Sequence, residues 1–208
     1  KNYLKNPQND EHTILKKDIS KKKNFEFPLE NHDEDFTISS KYPTDKLSEL
    51  AQIEYGTRIT KKNDTGTKYD VYGGGDASFV TDREYNREDR VVIGRFAISE
   101  ICVRMVKGKF FLNDSGLTIK AKQDKGVIQE YIDYVMLYRM KEVYSFGRGV
   151  GQKNLDMDQF KDMEIPIPPE PIQKELIASF KLKEKEMEAL NKEIRKLKDD
   201  ITEILSVT

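Results

Sequence analysis

The residues able to do chemistry in this chain stand mostly in loops, so the first question is whether any set of them makes a catalytic centre. Gly147-x-Gly149-x-Gly151 is glycine-rich, but no Lys-Ser or Lys-Thr follows it or any other glycine-rich loop. A phosphate-cradling P-loop is therefore excluded. The segment also lacks the strand–turn–helix frame and the final glycine that dinucleotide binding needs. A nucleophilic thiol needs a base beside it. The single cysteine, Cys102, is flanked by Ile101 and Val103, while His12 and His32 lie far off in a polar leader. Cys102 is expected to be a small buried side chain. One Cys and two His exclude a disulfide framework and a closed Cys/His zinc site. Glu88-Asp89 and Asp156/Asp158 have the oxygens for a divalent ion, but nothing converges on them and they read as surface charge. There is no Asn/Asp-Pro-Pro-aromatic run of the kind amino-methyltransferases use, because Pro168-Pro169 sits in Ile-Pro-Ile-Pro-Pro-Glu. No catalytic residue, metal or cofactor is expected.

What remains is a set of polar loops with recognition chemistry. Arg58, Lys61 and Lys62 stand in one loop; Tyr72 with Gly73, Gly74, Gly75 and Asp76 in another. Arg83, Arg87 and Arg95 are interleaved with Tyr85 and Asn86, and Arg148, Gln152, Lys153 and Asn154 surround the glycine-rich turn. Arg and Lys suit phosphates and guanine edges; Asn and Gln suit adenine edges. Glycines let a backbone approach a phosphate closely.

The elements that must carry these loops have readable patterns. Leu47, Leu50 and Ile53 fit one amphipathic turn or a strand entry. Short strands are expected at Tyr69–Tyr72, at Val91–Gly94 and at Leu117–Ile119, the last after the turn Asn113-Asp114-Ser115-Gly116. Ile101–Val103 and Lys109–Leu112 read as two strands of a hairpin around Lys107-Gly108. Ile128, Ile132, Val135 and Tyr138 lie on one face of a helix expected over 127–141. Pro166, Pro168, Pro169 and Pro171 stop regular pairing, and Pro171 can open a new helix. From there Leu176, Phe180, Lys183, Met187, Leu190, Ile194, Leu197, Ile201 and Ile204 follow alternating steps of four and three. Only Lys183 breaks the apolar seam, which is the heptad signature of a coiled coil. A helix over 170–205 would be about 54 Å long at about 1.5 Å per residue.

Composition sets bounds on partners. The chain has 208 residues, with 36 Lys+Arg against 37 Asp+Glu and 35% charged overall. The two signs also balance within the leader, the middle and the C-terminal segment, so any meeting with DNA uses local patches rather than a basic tail. No uncharged run is long enough for a membrane-spanning helix or a signal-peptide core. A reducing, cytoplasmic setting is expected. Residues 1–41, with Lys21-Lys22-Lys23, Phe25 and Phe27, read as a polar leader or linker.

Three stretches resemble the specificity (S) subunits of type I restriction–modification systems and the related recognition modules of methyltransferase–specificity fusions. The first is Tyr42-Pro43 with Leu47-Ser48-Glu49-Leu50-Ala51, running into Tyr55-Gly56-Thr57-Arg58. The second is Val71-Tyr72-Gly73-Gly74, Tyr85-Asn86, Ile93-Gly94-Arg95 and Asn113-Asp114. The third and most specific is Gly147-x-Gly149-x-Gly151-Gln152-Lys153-Asn154-Leu155, then Ile165-Pro166-Ile167-Pro168-Pro169 and Ile172-Gln173-Lys174. The family usually carries two recognition domains and two spacer helices, where this chain has one of each. It often has a small residue where Phe96-Ala97 follows Ile-Gly-Arg. A chain that opens on Lys1 rather than Met suits a fragment of a fusion or a half-sized subunit.

The resemblance implies an α+β molecule: a small mixed α/β DNA target-recognition domain over 42–169, followed by one long coiled-coil spacer helix over 170–205. It implies no chemistry of its own. The domain would bind double-stranded DNA and direct a methyltransferase subunit, and a nuclease subunit in the full system. The helix would pair with a second copy or a second spacer helix, antiparallel, and set half-site spacing at an upper bound of about 16 base pairs at about 3.4 Å each. Two other readings stay open from the residues alone: a fragment of an adenosyl-methionine-dependent methyltransferase, and a coiled-coil protein-interaction module.

Overall fold

A computed structural model describes residues 42–206, so the leader and its lysine triplet lie outside the described residues. The described residues open with β1 (Thr44–Lys46), the single helical turn α1 (Leu47–Leu50) and β2 (Ala51–Tyr55). There follow β3 (Tyr69–Tyr72), β4 (Phe79–Thr81), β5 (Arg87–Gly94), β6 (Val103–Leu112) and β7 (Gly116–Ala121). Then come α2 (Gln129–Tyr138), α3 (Met140–Ser145), the short hairpin β8 (Gly147–Arg148) and β9 (Asn154–Leu155), α4 (Met157–Asp162), β10 (Glu164–Pro166) and α5 (Glu170–Ser206).

Six strands form one sheet in the order β2-β7-β5-β6-β3-β4. All neighbours are antiparallel except β3 and β6, which pair in parallel through Val71 with Phe111 and Tyr72 with Leu112. Strand alternation divides the apolar residues between the two faces. Val91 and Ile93 join Leu47, Leu50, Val103, Leu117, Ile119, Ile132, Met136, Phe160 and Ile165 in the main core. Val92 points the other way, into a smaller cluster with Val106, Phe110 and Leu112. β1 pairs with β10, so the two ends of the domain clasp each other, with Lys46 Nζ 2.9 Å from Asp162 Oδ1.

Two expectations about local secondary structure need correction. Residues 101–112 are not a hairpin: Val103–Leu112 is one ten-residue strand along β5. Gly108, at φ +74, does not turn the chain but sits opposite a bulge between Glu88 and Arg90, where its N–H donates to Asp89 Oδ1 at 2.8 Å. The helix expected over 127–141 is two helices, broken at Arg139. The Arg139 guanidinium there grips both carboxylate oxygens of Glu142, at 2.7 Å each, and the Glu164 carbonyl at 2.6 Å.

The long helix is present, but its apolar seam is not uniform. Leu176 and Phe180, expected in the coiled-coil seam, pack on the helix's own domain, together with buried Ile177. From Met187 through Leu190, Ile194, Leu197, Ile201 and Ile204 the seam is exposed.

Candidate nucleic-acid interface

Four loops meet at one place because their backbones are hydrogen-bonded across the fold. The N–H groups of Gly56 and Thr57 donate to the carbonyls of Gly116 (3.1 Å) and Leu112 (2.9 Å). Asn113 N–H donates to Tyr72 C=O (2.8 Å), and Arg95 N–H donates to Ser115 C=O (2.9 Å). The turn is held from within: Asn113 Oδ1 accepts from the Ser115 N–H (2.9 Å) and hydroxyl (2.6 Å). Such approach needs glycine. A Cβ on Gly56 would lie 1.9 Å from the Asn113 carbonyl oxygen, and one on Gly73 2.2 Å from Ser115 Oγ. The loops 55–58, 72–76, 94–97 and 113–116 thus form one rigid surface.

Arginine chemistry is concentrated there. Arg95 places its guanidinium carbon 4.3 Å from the Tyr55 ring centre and 4.8 Å from that of Phe96, and donates to the Asp114 carbonyl at 2.8 Å. Tyr55 and Phe96 are both about half exposed. Arg58 has an 83% exposed side chain whose Nη1 lies 3.7 Å from Asp114 Oδ2, a loose surface pairing that leaves it free to turn. Arg104 braces the glycine loop from below, donating to Gly74 C=O (3.1 Å), Ile101 C=O (3.1 Å) and Asp76 Oδ1 (2.9 Å). Gly75 has open space around it. The reading of the sequence missed Tyr55, Phe96, Arg104 and Asp114 as members of this surface. The resemblance includes Tyr55 and Asp114 as members of separate stretches without bringing them together, and no local pattern assigns Phe96 or Arg104 to this surface.

The β8–β9 hairpin flanks this surface. Ala97 N–H donates to Asn154 Oδ1 (3.1 Å), Ile98 N–H to Lys153 C=O (2.9 Å) and Leu155 N–H to Arg95 C=O (2.8 Å). Asn154 thereby holds Ala97 at φ +50, a conformation costly for a residue with a Cβ. Arg148 pairs with Asp156, and Lys153 lies 4.5 Å over the Tyr144 ring, whereas Gln152 is exposed.

The remaining expected contacts fall in three places. Lys61 and Lys62 are exposed, in a loop anchored by Ile59 against Val71, Phe79 and Phe111. Arg83 turns back to Asp64, whose carboxyl is held below the usual range by the Thr81 hydroxyl and by Arg83 itself. Tyr72 packs edge-on against Phe110 at 5.5 Å instead of projecting. Arg87 is engaged within the fold. Its side chain, 16% exposed, donates to Thr118 Oγ1 (2.9 Å) and to the carbonyls of Asn86 (2.7 Å), Tyr55 (3.2 Å) and Glu54 (3.4 Å). It is a strut tying β5 to β7 and β2, with four of its five N–H donors engaged inside the fold.

Two further described groups have their ionisation shifted by burial. Burial pushes the Cys102 thiol up to about 11, so it is protonated and inert at neutral pH. Burial also pushes the Asp133 carboxyl up to about 6. Its partner is Gln129, at 2.9 Å, a structural contact on α2. A polar recess of about 510 Å³ is lined by Glu54, Glu84, Tyr85, Asn86, Arg87, Glu88 and Arg90. Among the described residues no three His, Cys, Asp or Glu side chains are placed to hold a metal ion, and no helix is long and apolar enough to cross a membrane.

Comparisons with known proteins agree on the fold. The family model described as the type I restriction modification DNA specificity domain matches residues 39–199. The type I restriction–modification S subunit from M. genitalium is similar in structure, with a TM-score of 0.63 at 17% identity over 76% of this chain and 42% of that one. A chain from a structure addressing assembly and conformational transition of the type I R-M system gives 0.56 at 14% identity, over 86% and 48%. The HsdS subunit from Thermoanaerobacter tengcongensis gives 0.53 at 14% identity, over 86% and 48%. This chain therefore spans less than half the length of the solved subunits it matches. No curated protein matches it. With its recognition-type body, its long C-terminal helix and a family match across both, the chain belongs to the type I restriction modification DNA specificity domain family.

Proposed function

We propose that this chain reads one part of a double-stranded DNA target through the surface built by loops 55–58, 72–76, 94–97 and 113–116, and performs no chemistry itself. One observation carries this reading: loops far apart in sequence are cross-bonded into a single rigid face bearing Arg58, Arg95 and two half-exposed aromatic rings. Loops on a rigid scaffold are where recognition residues concentrate. Arg58 suits a base edge or a phosphate. Lys61 and Lys62, as flexible point charges on a neighbouring loop, suit phosphates. Gln152 suits an adenine edge from the flanking hairpin. Arg83 and Arg148 would reach DNA only by leaving carboxylate partners, so they rank below these.

The exposed seam from Met187 to Ile204 supports a partner for the distal helix, either a second copy of this chain or a second spacer helix. Methyl transfer, and cleavage in a full system, would belong to separate methyltransferase and nuclease subunits. The reading is tested by titrating duplex DNA at two salt concentrations, against the wild-type chain and an Arg58→Ala, Lys61→Ala, Lys62→Ala variant. It expects salt-dependent binding that the triple variant weakens at least tenfold. Equal binding by both proteins would overturn it. Labelled methyl groups entering DNA with the purified chain alone would overturn the non-enzymatic part.

A further inference from the structure

Gln173 is the one fully buried glutamine in the long helix, at 0% exposure, and its amide is completely engaged. Its Oε1 accepts from Ile128 N–H at 2.8 Å. Its Nε2 donates to the carbonyls of Gly126 and Pro168, both at 2.8 Å. Filling that space with an apolar side chain would avoid the cost of burying an amide. What an amide adds is direction: three bonds fix the plane of the group, and with it the rotation and entry point of α5.

A second fixing point lies further along the helix. Phe180 packs against both Tyr134 and Tyr138 of α2, with ring centres 5.1 and 4.8 Å away. Tyr134 donates its hydroxyl to Glu184 Oε2 at 2.8 Å, and Lys181 Nζ lies 2.7 Å from Glu130 Oε1. Gln173 and Glu184 are about 16 Å apart along the axis at about 1.5 Å per residue. Two anchors at that separation define a line, not just a point of attachment.

The line is referred back to the recognition surface through one strand. Gln129, at the start of α2, accepts from Ala121 N–H (2.8 Å) and donates to the Ile119 carbonyl (3.1 Å), both on β7. β7 begins at Gly116, in the turn that builds the proposed DNA face. Turn, strand, α2 and the base of α5 are thus joined by short bonds between half-buried or buried groups.

We propose that Gln173, with Phe180 and the Tyr134–Glu184 bond, is the joint that fixes the direction of α5 relative to the DNA-reading turn and so sets the gap to a second half-site. These are positioning residues, and the proposal rests on the DNA-reading function above. The lever makes it consequential. About 33 Å of helix extends from Glu184 to its end, so a tilt of about 6° moves the tip by about 3.4 Å, one base-pair step.

The test uses the full chain with spin labels on Lys68→Cys and Asp199→Cys, diluted into unlabelled protein; buried Cys102 stays unlabelled. The wild type should give one narrow distance distribution. Gln173→Leu, which keeps volume and helix propensity, should broaden or shift it, and Tyr134→Phe should do so to a smaller degree. Selection from random DNA with the methyltransferase partner present should then return the same half-site bases for Gln173→Leu, with half-site affinity within about twofold, but a gap varying by about one base pair either way. Lower thermal stability with an unchanged distance distribution and gap would make Gln173 a merely stabilising residue and overturn the proposal. If Gln173→Leu does not fold, the distance distribution of Tyr134→Phe decides. If the wild type selects no sequence, the DNA-reading function fails, while the distance measurement still decides whether the joint is rigid.

Discussion

Arg95 and Tyr55 form a stacked pair at the edge of the sheet, with the guanidinium carbon 4.3 Å from the ring centre. Phe96 lies on the same guanidinium at 4.8 Å, and the Asp114 carbonyl takes one of its donors at 2.8 Å. The arginine is therefore oriented before any ligand arrives. Arg95→Lys keeps the charge but loses the planar fork and the stack. It should cost roughly 1–3 kcal/mol against the selected target, relax preference at one base position, and leave the salt slope unchanged. Quantitative binding to the target and its single-base variants checks this. A uniform loss on all sequences would make Arg95 a phosphate contact instead.

The contrast between Arg87 and the lysine pair tests the division between strut and reader. Arg87→Ala leaves the Thr118 hydroxyl and the Glu54 and Tyr55 carbonyls without that partner, and should cost on the order of 2–3 kcal/mol in urea unfolding. Lys61→Ala and Lys62→Ala should leave unfolding unchanged and each lower the salt slope of DNA binding by about one. Normal stability for Arg87→Ala would contradict the strut.

The residues show what a linear reading can and cannot reach. Val91–Ile93, Leu117–Ile119 and the heptad seam are legible because strand and helix periods are local properties. Lys107-Gly108 misleads because a positive-φ glycine serves a bulge as well as a turn, and the deciding partner, Asp89, is on the neighbouring strand. Arg87 looks like its loop neighbours because the groups that absorb it, Glu54, Tyr55 and Thr118, are more than thirty residues away. Leu176 and Phe180 keep the heptad step, yet Tyr134 and Tyr138 take that stretch of the helix for the domain. Tyr55 and Phe96 both lie beside motifs of the resemblance, yet their stack on Arg95 has no local sequence signal, since only the fold brings both to it.

Asp133 makes stability depend on pH in a defined direction. Desolvation raises its carboxyl to about 6 in the fold, although Gln129 and Arg90 oppose the shift. A raised carboxyl favours the folded state while protonated. That contribution is fully present below the unfolded value near 4 and is lost as pH rises through about 6. Asp133→Asn keeps an acceptor for Gln129 and cannot ionise. It should stabilise the protein by on the order of 2 kcal/mol at pH 7 and flatten the pH dependence between about 4 and 7. Urea titrations at pH 5 and pH 7 measure both. Destabilisation at pH 7 with unchanged pH dependence would contradict this.

The two halves of the long helix should respond differently to substitution. Leu190→Lys with Ile194→Lys changes only exposed positions, so it should abolish self-association and give the unfolding midpoint that the unmodified chain shows when diluted to the monomer. Phe180→Ala removes a ring packed on Tyr134 and Tyr138 and should destabilise the domain by about 3 kcal/mol. Sedimentation with thermal unfolding separates them. An unmodified chain that stays monomeric at tens of micromolar would contradict self-pairing.

The most direct test of the central claim is selection of bound sequences from a random duplex pool, with the methyltransferase partner present, for the wild type and for an Arg58→Ala, Arg95→Ala variant. The wild type should enrich a defined motif, and the double variant, still folded, should lose preference at particular positions of it. Recovery of the same motif by both proteins would place the reading surface elsewhere on the domain. Absence of any enriched motif with the wild type would contradict DNA reading by this chain.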